Sequence, residues 1–257
     1  MPEPSYLNTP QGRRIAYHLT AGRAPTVVFL GGFRSDMDGS KALHLEAWAQ
    51  AQGQGFLRLD YSGHGQSSGD FLEGCIGDWA MDASEAISAL TEGPVVLVGS
   101  SMGGWICLIL ARILRQKICG IVGIASAPDF TEDSMWAGFD AGQRAALTGN
   151  GRVELPSDYS DAPYVITRRL IEDGRDHLVL RDDLTLAMPC RFLQGTADAD
   201  VKQSVALRLL EHASGDDIRL TLVKGADHRF STPDCLDLIV RSIGDVLALL
   251  AEAQIRG

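Results

Sequence analysis

The sequence has no CxxC pair, and its five cysteines, Cys75, Cys107, Cys119, Cys190 and Cys235, are odd in number and scattered. Most sit in apolar runs such as Ile106-Cys107-Leu108 and Ile118-Cys119-Gly120. That spacing excludes a disulfide framework or a zinc site, and reads as buried thiols in a reducing compartment. Long apolar runs are missing too. The longest, near Trp105 to Ala111, falls far short of the roughly 20 residues of a membrane span. No low-complexity tract or fixed-period repeat is visible. Basic charge is in short supply: 23 Lys plus Arg face 33 Asp plus Glu, a net charge of −10. Such a field repels nucleic acid and anionic lipid. Met1-Pro2-Glu3-Pro4-Ser5 has neither an apolar signal core nor an Arg-rich amphipathic face, so the expected location is the cytoplasm.

What is present fits an α/β protein. The 257 residues are 45% hydrophobic and 22% charged, enough for a large core without metals or disulfides. Short apolar runs alternate with helical patterns, which predicts a mostly parallel sheet covered by helices on both faces. A hairpin is expected over 5–7 and 14–19, turning at Thr9-Pro10-Gln11-Gly12. Strands are expected over 26–30, 56–60, 94–99, 118–124, 190–194 and 218–223. Helices are expected over 40–52, 77–90, 102–114 and 201–212, with a last one starting at Ser231-Thr232-Pro233. The run 94–99 carries no polar side chain and reads as a central strand. Residues 128–188 show helical stretches, a break at Gly149-Asn150-Gly151, many charges and no strong strand. An insertion of that length between sheet strands predicts a lid on a single domain spanning 1–257.

The sharpest motif is Gly99-Ser100-Ser101-Met102-Gly103-Gly104, a Gly-x-Ser-x-Gly centred on Ser101. The pattern alone is common; its place between a buried strand and an apolar helix makes it specific. The glycines let the chain reverse so that Ser101 projects at the top of the sheet, a nucleophile's position. Such a serine needs a base and a group to orient the base, in the chain order Ser, Asp or Glu, His. Of six histidines, His18, His44 and His64 precede Ser101, His177 lies in the insertion, and His212 lies late in a helix. His228, in the loop Lys224 to Arg229 before the last helix, is the candidate base. Asp198, after the strand 190–194, is the candidate acid, ahead of Asp200, which is expected to cap the next helix. The backbone amides of Met102 and Phe33 are the candidate oxyanion donors, Phe33 following Gly31-Gly32. Arg34, Trp105 and Trp136 are candidate substrate contacts, though core packing competes for Trp105. Gly63-His64-Gly65-Gln66-Ser67 lacks the third glycine of a dinucleotide loop, and Asp60-Tyr61-Ser62 before it reads as a surface turn. Arg168, Arg169 and Arg175 read as a solvated helical face. Nothing in this set requires a metal or organic cofactor.

The elbow and the order of the three residues resemble the alpha/beta hydrolase superfamily across essentially the whole chain. Five stretches are similar to a narrower branch: Gly32 to Ala42, Asp60 to Ser67, Leu97 to Trp105, Asp227-His228-Arg229, and Pro156-Ser157-Asp158-Tyr159-Ser160. That branch is one of mitochondrial palmitoyl-protein thioesterases and acyl-glucuronide esterases. The resemblance implies a Ser–Asp–His serine hydrolase acting on esters or thioesters, in a small molecule or an acylated protein. It places the roles on Ser101, Asp198 and His228. The His-Gly that is widespread in the superfamily's oxyanion loop is Gly31-Gly32 here. The same three residues suit a carbon–carbon bond hydrolase or an acyltransferase. A non-catalytic binding protein has no need of the ordered set. Composition leaves oligomeric state open.

Overall fold

The computed structural model describes residues 3–155 and 163–256. The quoted stretch Pro156-Ser157-Asp158-Tyr159-Ser160 lies outside them. The chain opens with β1 (Ser5–Asn8), β2 (Arg14–Thr20), β3 (Arg23–Leu30), α1 (Ser40–Gln52) and β4 (Gln54–Leu59). After a 3-10 turn at Phe71–Glu73 come α2 (Ile76–Leu90), β5 (Val95–Ser100), α3 (Met102–Ile113) and β6 (Ile118–Ile124). A π-helical turn at Thr131–Trp136 precedes α4 (Ala141–Asn150), β7 (Arg152–Leu155), β8 (Tyr164–Thr167), α5 (Arg168–Asp176) and β9 (Leu184–Thr185). The chain closes with β10 (Cys190–Gly195), α6 (Gln203–His212), β11 (Ala213–Ser214), β12 (Ile218–Val223) and α7 (Pro233–Arg256).

Eight strands form one sheet in the order β1-β2-β4-β3-β5-β6-β10-β12. β1–β2 and β2–β4 pair antiparallel and the other pairs are parallel. The fold is therefore α/β, as the alternating pattern predicts. Two apolar layers cover the sheet. Trp79, Ala83 and Ile87 of α2 join the α3 residues on one face. Ala42, Leu45 and Ala49 of α1 join Ile239, Ile243 and Val246 of α7 on the other. No helix among the described residues is long and apolar enough to cross a membrane.

The strand order turns at the sheet's centre. From β3 the chain crosses outward to β4, whereas from β5 it crosses the other way to β6. The C-terminal ends of β3 and β5 thus border a crevice that neither connection fills, the position where open α/β sheets bind ligands. Packing beneath this crevice is very close. A Cβ on Gly103 would lie 2.1 Å from the Leu30 carbonyl oxygen and 2.7 Å from that of Gly31. One on Gly99 would lie 2.3 Å from the Gly103 oxygen. Only glycine lets the first turn of α3 rest against the end of β3.

The connection between β6 and β10 differs from its expected form. β7 and β8 pair as an antiparallel hairpin within it. Its four-residue strands alternate too briefly to show as a period in sequence. Asp60-Tyr61-Ser62 also departs from expectation: it is no surface turn, with Asp60 2% and Tyr61 1% exposed. The Asp60 carboxylate accepts from the Met37 and Gln66 amides at 2.6 and 2.8 Å, so the loop needs it inside. Arg169 is not merely solvated, since it pairs with Asp78 of α2.

Gly103→Ala should lower stability although alanine is the better helix former by about 1 kcal/mol. The displaced atoms are backbone, so the steric cost of roughly 2–3 kcal/mol wins. The net loss of about 1–2 kcal/mol should appear in thermal unfolding as a Tm lower by about 2–8 °C. Gly244→Ala in α7, where a Cβ meets nothing within 4 Å, should leave Tm unchanged or raise it.

Candidate active site

β5 ends at Ser100, and Ser101 takes φ 55°, ψ −116° before α3 begins at Met102. That backbone is strained for a residue with a side chain, and it turns the Ser101 side chain out of the strand. Two bonds hold the bend: the Ser101 amide donates to the Ile124 oxygen at 2.9 Å, and the Ala127 amide donates to the Ser101 oxygen at 3.1 Å. The strain is thus opposed by the end of β6 and the residues just after it.

His228 arrives from the loop after β12, 127 residues away in sequence, with Nε2 3.1 Å from Ser101 Oγ. Its Nδ1 lies 2.9 Å from Asp198 Oδ2. A carboxylate accepts, so Nδ1 carries the proton and Nε2 is left to accept from the serine hydroxyl. The Asp198 side chain is fully buried and that of His228 is 22% exposed. Burial pushes the Asp198 carboxyl up, but hydrogen bonds from His228, the Val201 amide and Gln194 outweigh it and hold it below the usual carboxylate range. Gln194 Nε2 donates to Oδ2 at 2.9 Å, while the amides of Asp200 and Val201 donate to Oδ1 at 3.0 and 2.8 Å.

Asp200 is not the cap of α6; Lys202 occupies that position. Asp198, Asp200 and His228 present ligand atoms within 4.8 Å of one another. Both Asp198 oxygens are already occupied by four hydrogen-bond donors, which suits a fixed carboxylate rather than a metal ligand. Asp227 is occupied elsewhere, accepting from the Phe230 amide at 3.1 Å. Lys41 Nζ donates to the Arg229 oxygen at 2.6 Å and ties α1 to the His228 loop. Gln194 and Lys41 escape a motif search because each acts through backbone or another side chain.

Gly32 adjoins Ser101: a Cβ placed on it would lie 3.4 Å from that of Ser101. Gly32 and Ser35 close a turn with a 3.1 Å amide-to-carbonyl bond, so Phe33 and Arg34 stand at its tip. Met102, the first residue of α3, has an amide with no partner inside the helix by construction. Gly32, just before Phe33, and Met102 thus adjoin Ser101 from two different elements.

A cavity of about 820 Å³ opens over Ser101 and His228. Phe130, Met135, Leu155, Tyr164, Ile166 and Val205 form its apolar wall. Arg34, Lys41, Lys202 and Arg229 bring positive charge to its margin. Phe33 and Arg34 line the cavity, whereas the expected contacts Trp105 and Trp136 do not. Trp105 is fully buried, with its ring nitrogen donating to the His177 oxygen at 3.0 Å, because a large ring just inside α3 faces the core. Trp136 turns away beneath the guanidinium groups of Arg144 and Arg175, 5.1 and 4.7 Å from its centroid.

The Phe33 ring rests in an aromatic cluster, edge-on to Phe71, Trp79 and Phe130 at 5.0, 6.0 and 5.8 Å. His64, 3% exposed, stands edge-on to Phe71 and Trp79, each at 5.0 Å. Its Nδ1 faces the Ser62 oxygen at 3.2 Å, and among the described residues nothing bonds its Nε2. Burial lowers its pKa to about 4, with the Arg34 charge acting in the same direction. His64 stays neutral when folded but takes a proton when unfolded, so it removes stability as pH falls from 6.5 towards about 4. Urea unfolding of His64→Phe should show a stability–pH slope smaller by one proton across that interval. The acid-side loss avoided would reach about 3 kcal/mol.

Comparison with known proteins gives the same assignment. The Alpha/beta hydrolase family model matches residues 27–243. Rat palmitoyl-protein thioesterase ABHD10, mitochondrial (Rattus norvegicus), is 31% identical over 96% of this chain and 83% of its own. A solved protein from Agrobacterium vitis S4 described as a hydrolase superposes with TM-score 0.91 at 40% identity, covering 95% of this chain and 98% of that one. Mouse alpha/beta hydrolase domain-containing protein 10 superposes with TM-score 0.90 at 29% identity, covering 97% and 100%. The mitochondrial label on the rat, bovine and human relatives overturns the cytoplasmic expectation. Reduced thiols and acidic charge suit both compartments, so composition had no power to separate them. The fold and these matches show that the chain belongs to the alpha/beta hydrolase family and is a hydrolase.

Proposed function

We propose that the protein hydrolyses carboxylic thioesters or esters with an apolar acyl group, using Ser101 as nucleophile, His228 as base and Asp198 as orienting carboxylate. One observation carries the reading: a continuous chain from Asp198 Oδ2 through both His228 nitrogens to Ser101 Oγ, at 2.9 and 3.1 Å. It stands at the floor of a cavity with an apolar wall. The cavity's size lies within the usual range for ligand sites, roughly 300–1,000 Å³. The inclusion of thioesters is supported by the ABHD10 relatives, which are named palmitoyl-protein thioesterases. The β6–β10 connection serves as the cap that shapes the acyl pocket.

In the first half-reaction Ser101 Oγ attacks the acyl carbonyl carbon while its proton passes to His228 Nε2. The carbonyl oxygen becomes an oxyanion held by the Phe33 and Met102 amides. Asp198 stabilises the imidazolium and keeps its tautomer. Collapse of the tetrahedral species breaks the bond to the thiol or alcohol, which leaves with the proton from His228. In the second half-reaction His228 takes a proton from water, the hydroxide adds to the acyl-enzyme, and the carboxylic acid is released as Ser101 regains its proton.

Ser101→Ala should reduce kcat/KM by at least about 10⁴-fold without lowering Tm. Steady-state kinetics across acetyl to palmitoyl substrates, as paired oxygen esters and thioesters, reads both this loss and the acyl preference. Retained turnover in Ser101→Ala refutes the nucleophile. Asp198→Asn should keep the fold and lose roughly 10³–10⁴-fold in kcat, because the imidazole tautomer is no longer held.

A further inference from the structure

Arg34 carries a backbone conformation that its residue type does not favour. It is the third residue of the turn closed by the Ser35 amide and the Gly32 oxygen at 3.1 Å, and its φ is +60°. Phe33 before it has no positive φ. This is the pattern of a type II turn, whose third position belongs to glycine or asparagine. A side chain there persists only where its surroundings hold it. The surroundings are two rings from different parts of the chain. The guanidinium lies 4.9 Å from the Phe71 centroid and 4.9 Å from that of Tyr164. Phe71 is anchored, stacked on Trp79 at 5.6 Å and edge-on to Phe33 and His64. Tyr164 is the first residue of β8, in the hairpin of the β6–β10 connection.

We propose that Arg34 is a positioning residue: clasped between Phe71 and Tyr164, it holds the turn that presents the Phe33 amide, so the β7–β8 hairpin sets the geometry of the oxyanion hole. The inference rests on the reading of Phe33 as an oxyanion donor. Its physical content is specific. The guanidinium is planar and matches two ring faces, which an ammonium does not. Removing either ring face or the guanidinium leaves a strained turn with less to hold it. The turn then samples conformations in which the Phe33 amide points away from the developing charge. The loss falls on the transition state, and hence on kcat, more than on ground-state binding. Arg34 itself need touch no substrate.

Glycine separates this role from substrate contact, because it adopts positive φ without a clasp. Steady-state kinetics of the full chain should use p-nitrophenyl acetate, which is uncharged and has a small acyl group, and a matched aryl acetate that carries a carboxylate on its ring. Loss of one oxyanion donor costs about 10²–10³-fold in kcat, so a loosened donor should cost about tenfold. Arg34→Ala and Arg34→Lys should show that loss in kcat with KM nearly unchanged, on both esters. Arg34→Gly should recover most of it. Tyr164→Phe, which keeps the ring face, should lose much less kcat than Tyr164→Ala. Tyr164→Ala should match Arg34→Ala, and the double variant should be no worse than either single one. Equal losses in Arg34→Ala and Arg34→Gly, appearing in KM and only with the anionic ester, would instead make Arg34 a direct substrate contact and overturn the proposal. So would additive losses in the double variant. Failure of the serine hydrolase reading is distinguishable, since Ser101→Ala would then retain turnover while the Arg34 series is silent on the nucleophile.

Discussion

The site depends on a close approach of two backbones. The first turn of α3 lies so near the end of β3 that a single methyl group on Gly103 would overlap the Leu30 carbonyl oxygen. That contact does two things at once. It forces the chain at Ser101 into a bend that α-helix and strand geometry both disfavour, and it brings Gly32 beside the serine. Ser101 and Gly32 follow strands adjacent in the sheet but lie about 70 residues apart in sequence. Under the proposed mechanism, preorganisation is therefore a packing property: dipoles aimed before substrate arrives need no reorganisation when charge develops.

Around that contact, buried polar groups act as fasteners. Asp60 ties two loops by accepting the Met37 and Gln66 amides. Asp82 accepts from Ser62 and Arg13. Asp129, fully buried, accepts the Val179 and Leu180 amides and pairs with Arg181, fixing the beginning and end of the β6–β10 connection together. Burial raises the pKa of each of these three carboxyls despite their donors. Asp198 is the exception among the buried carboxylates that bear on the site. It receives His228, two amides and Gln194, and its pKa falls. Its four donors together outweigh the burial, which keeps the carboxylate ionised.

The two halves of the cavity have different chemistry. The wall drawn from the β6–β10 connection is largely apolar, while Lys41, Lys202 and Arg229 bring charge from the side of α1, α6 and the His228 loop. The connection is also bound to the sheet's helices by polar contacts. Asp173 of α5 accepts the Gly77 amide at the start of α2, Arg169 pairs with Asp78, and the Trp105 ring donates to His177. The wall over the serine is therefore positioned from several directions, and the Phe130–Phe33 and Tyr164–Arg34 contacts both reach the turn from Gly32 to Ser35.

Sequence alone determined the order of elements, the α/β class, and Ser101, Asp198 and His228 as candidates, because those properties are local or ordinal. A glycine-flanked serine between an apolar strand and an apolar helix has few other uses, and the rule of chain order removed three of six histidines, with position in the insertion or late in a helix removing two more. The eight-stranded sheet emerged within a few residues of its expected strands because buried parallel strands are continuous apolar runs. Other properties were decided only by the tertiary structure. Trp105 and Trp136 are aromatic in the same way as Phe130, yet only Phe130 faces the cavity, and no pattern along the chain distinguishes them. Asp60 and His64 look like loop residues and are buried, Asp60 because the Met37 and Gln66 amides need an acceptor and His64 because its ring packs among Tyr61, Phe71 and Trp79. Gln194, Lys41 and Arg34 act through residues 4, 188 and 130 positions away, which spacing cannot encode. Sequence records which groups exist and in what order; which of them meet is settled by packing, where a polar group is paid for by the partner it finds.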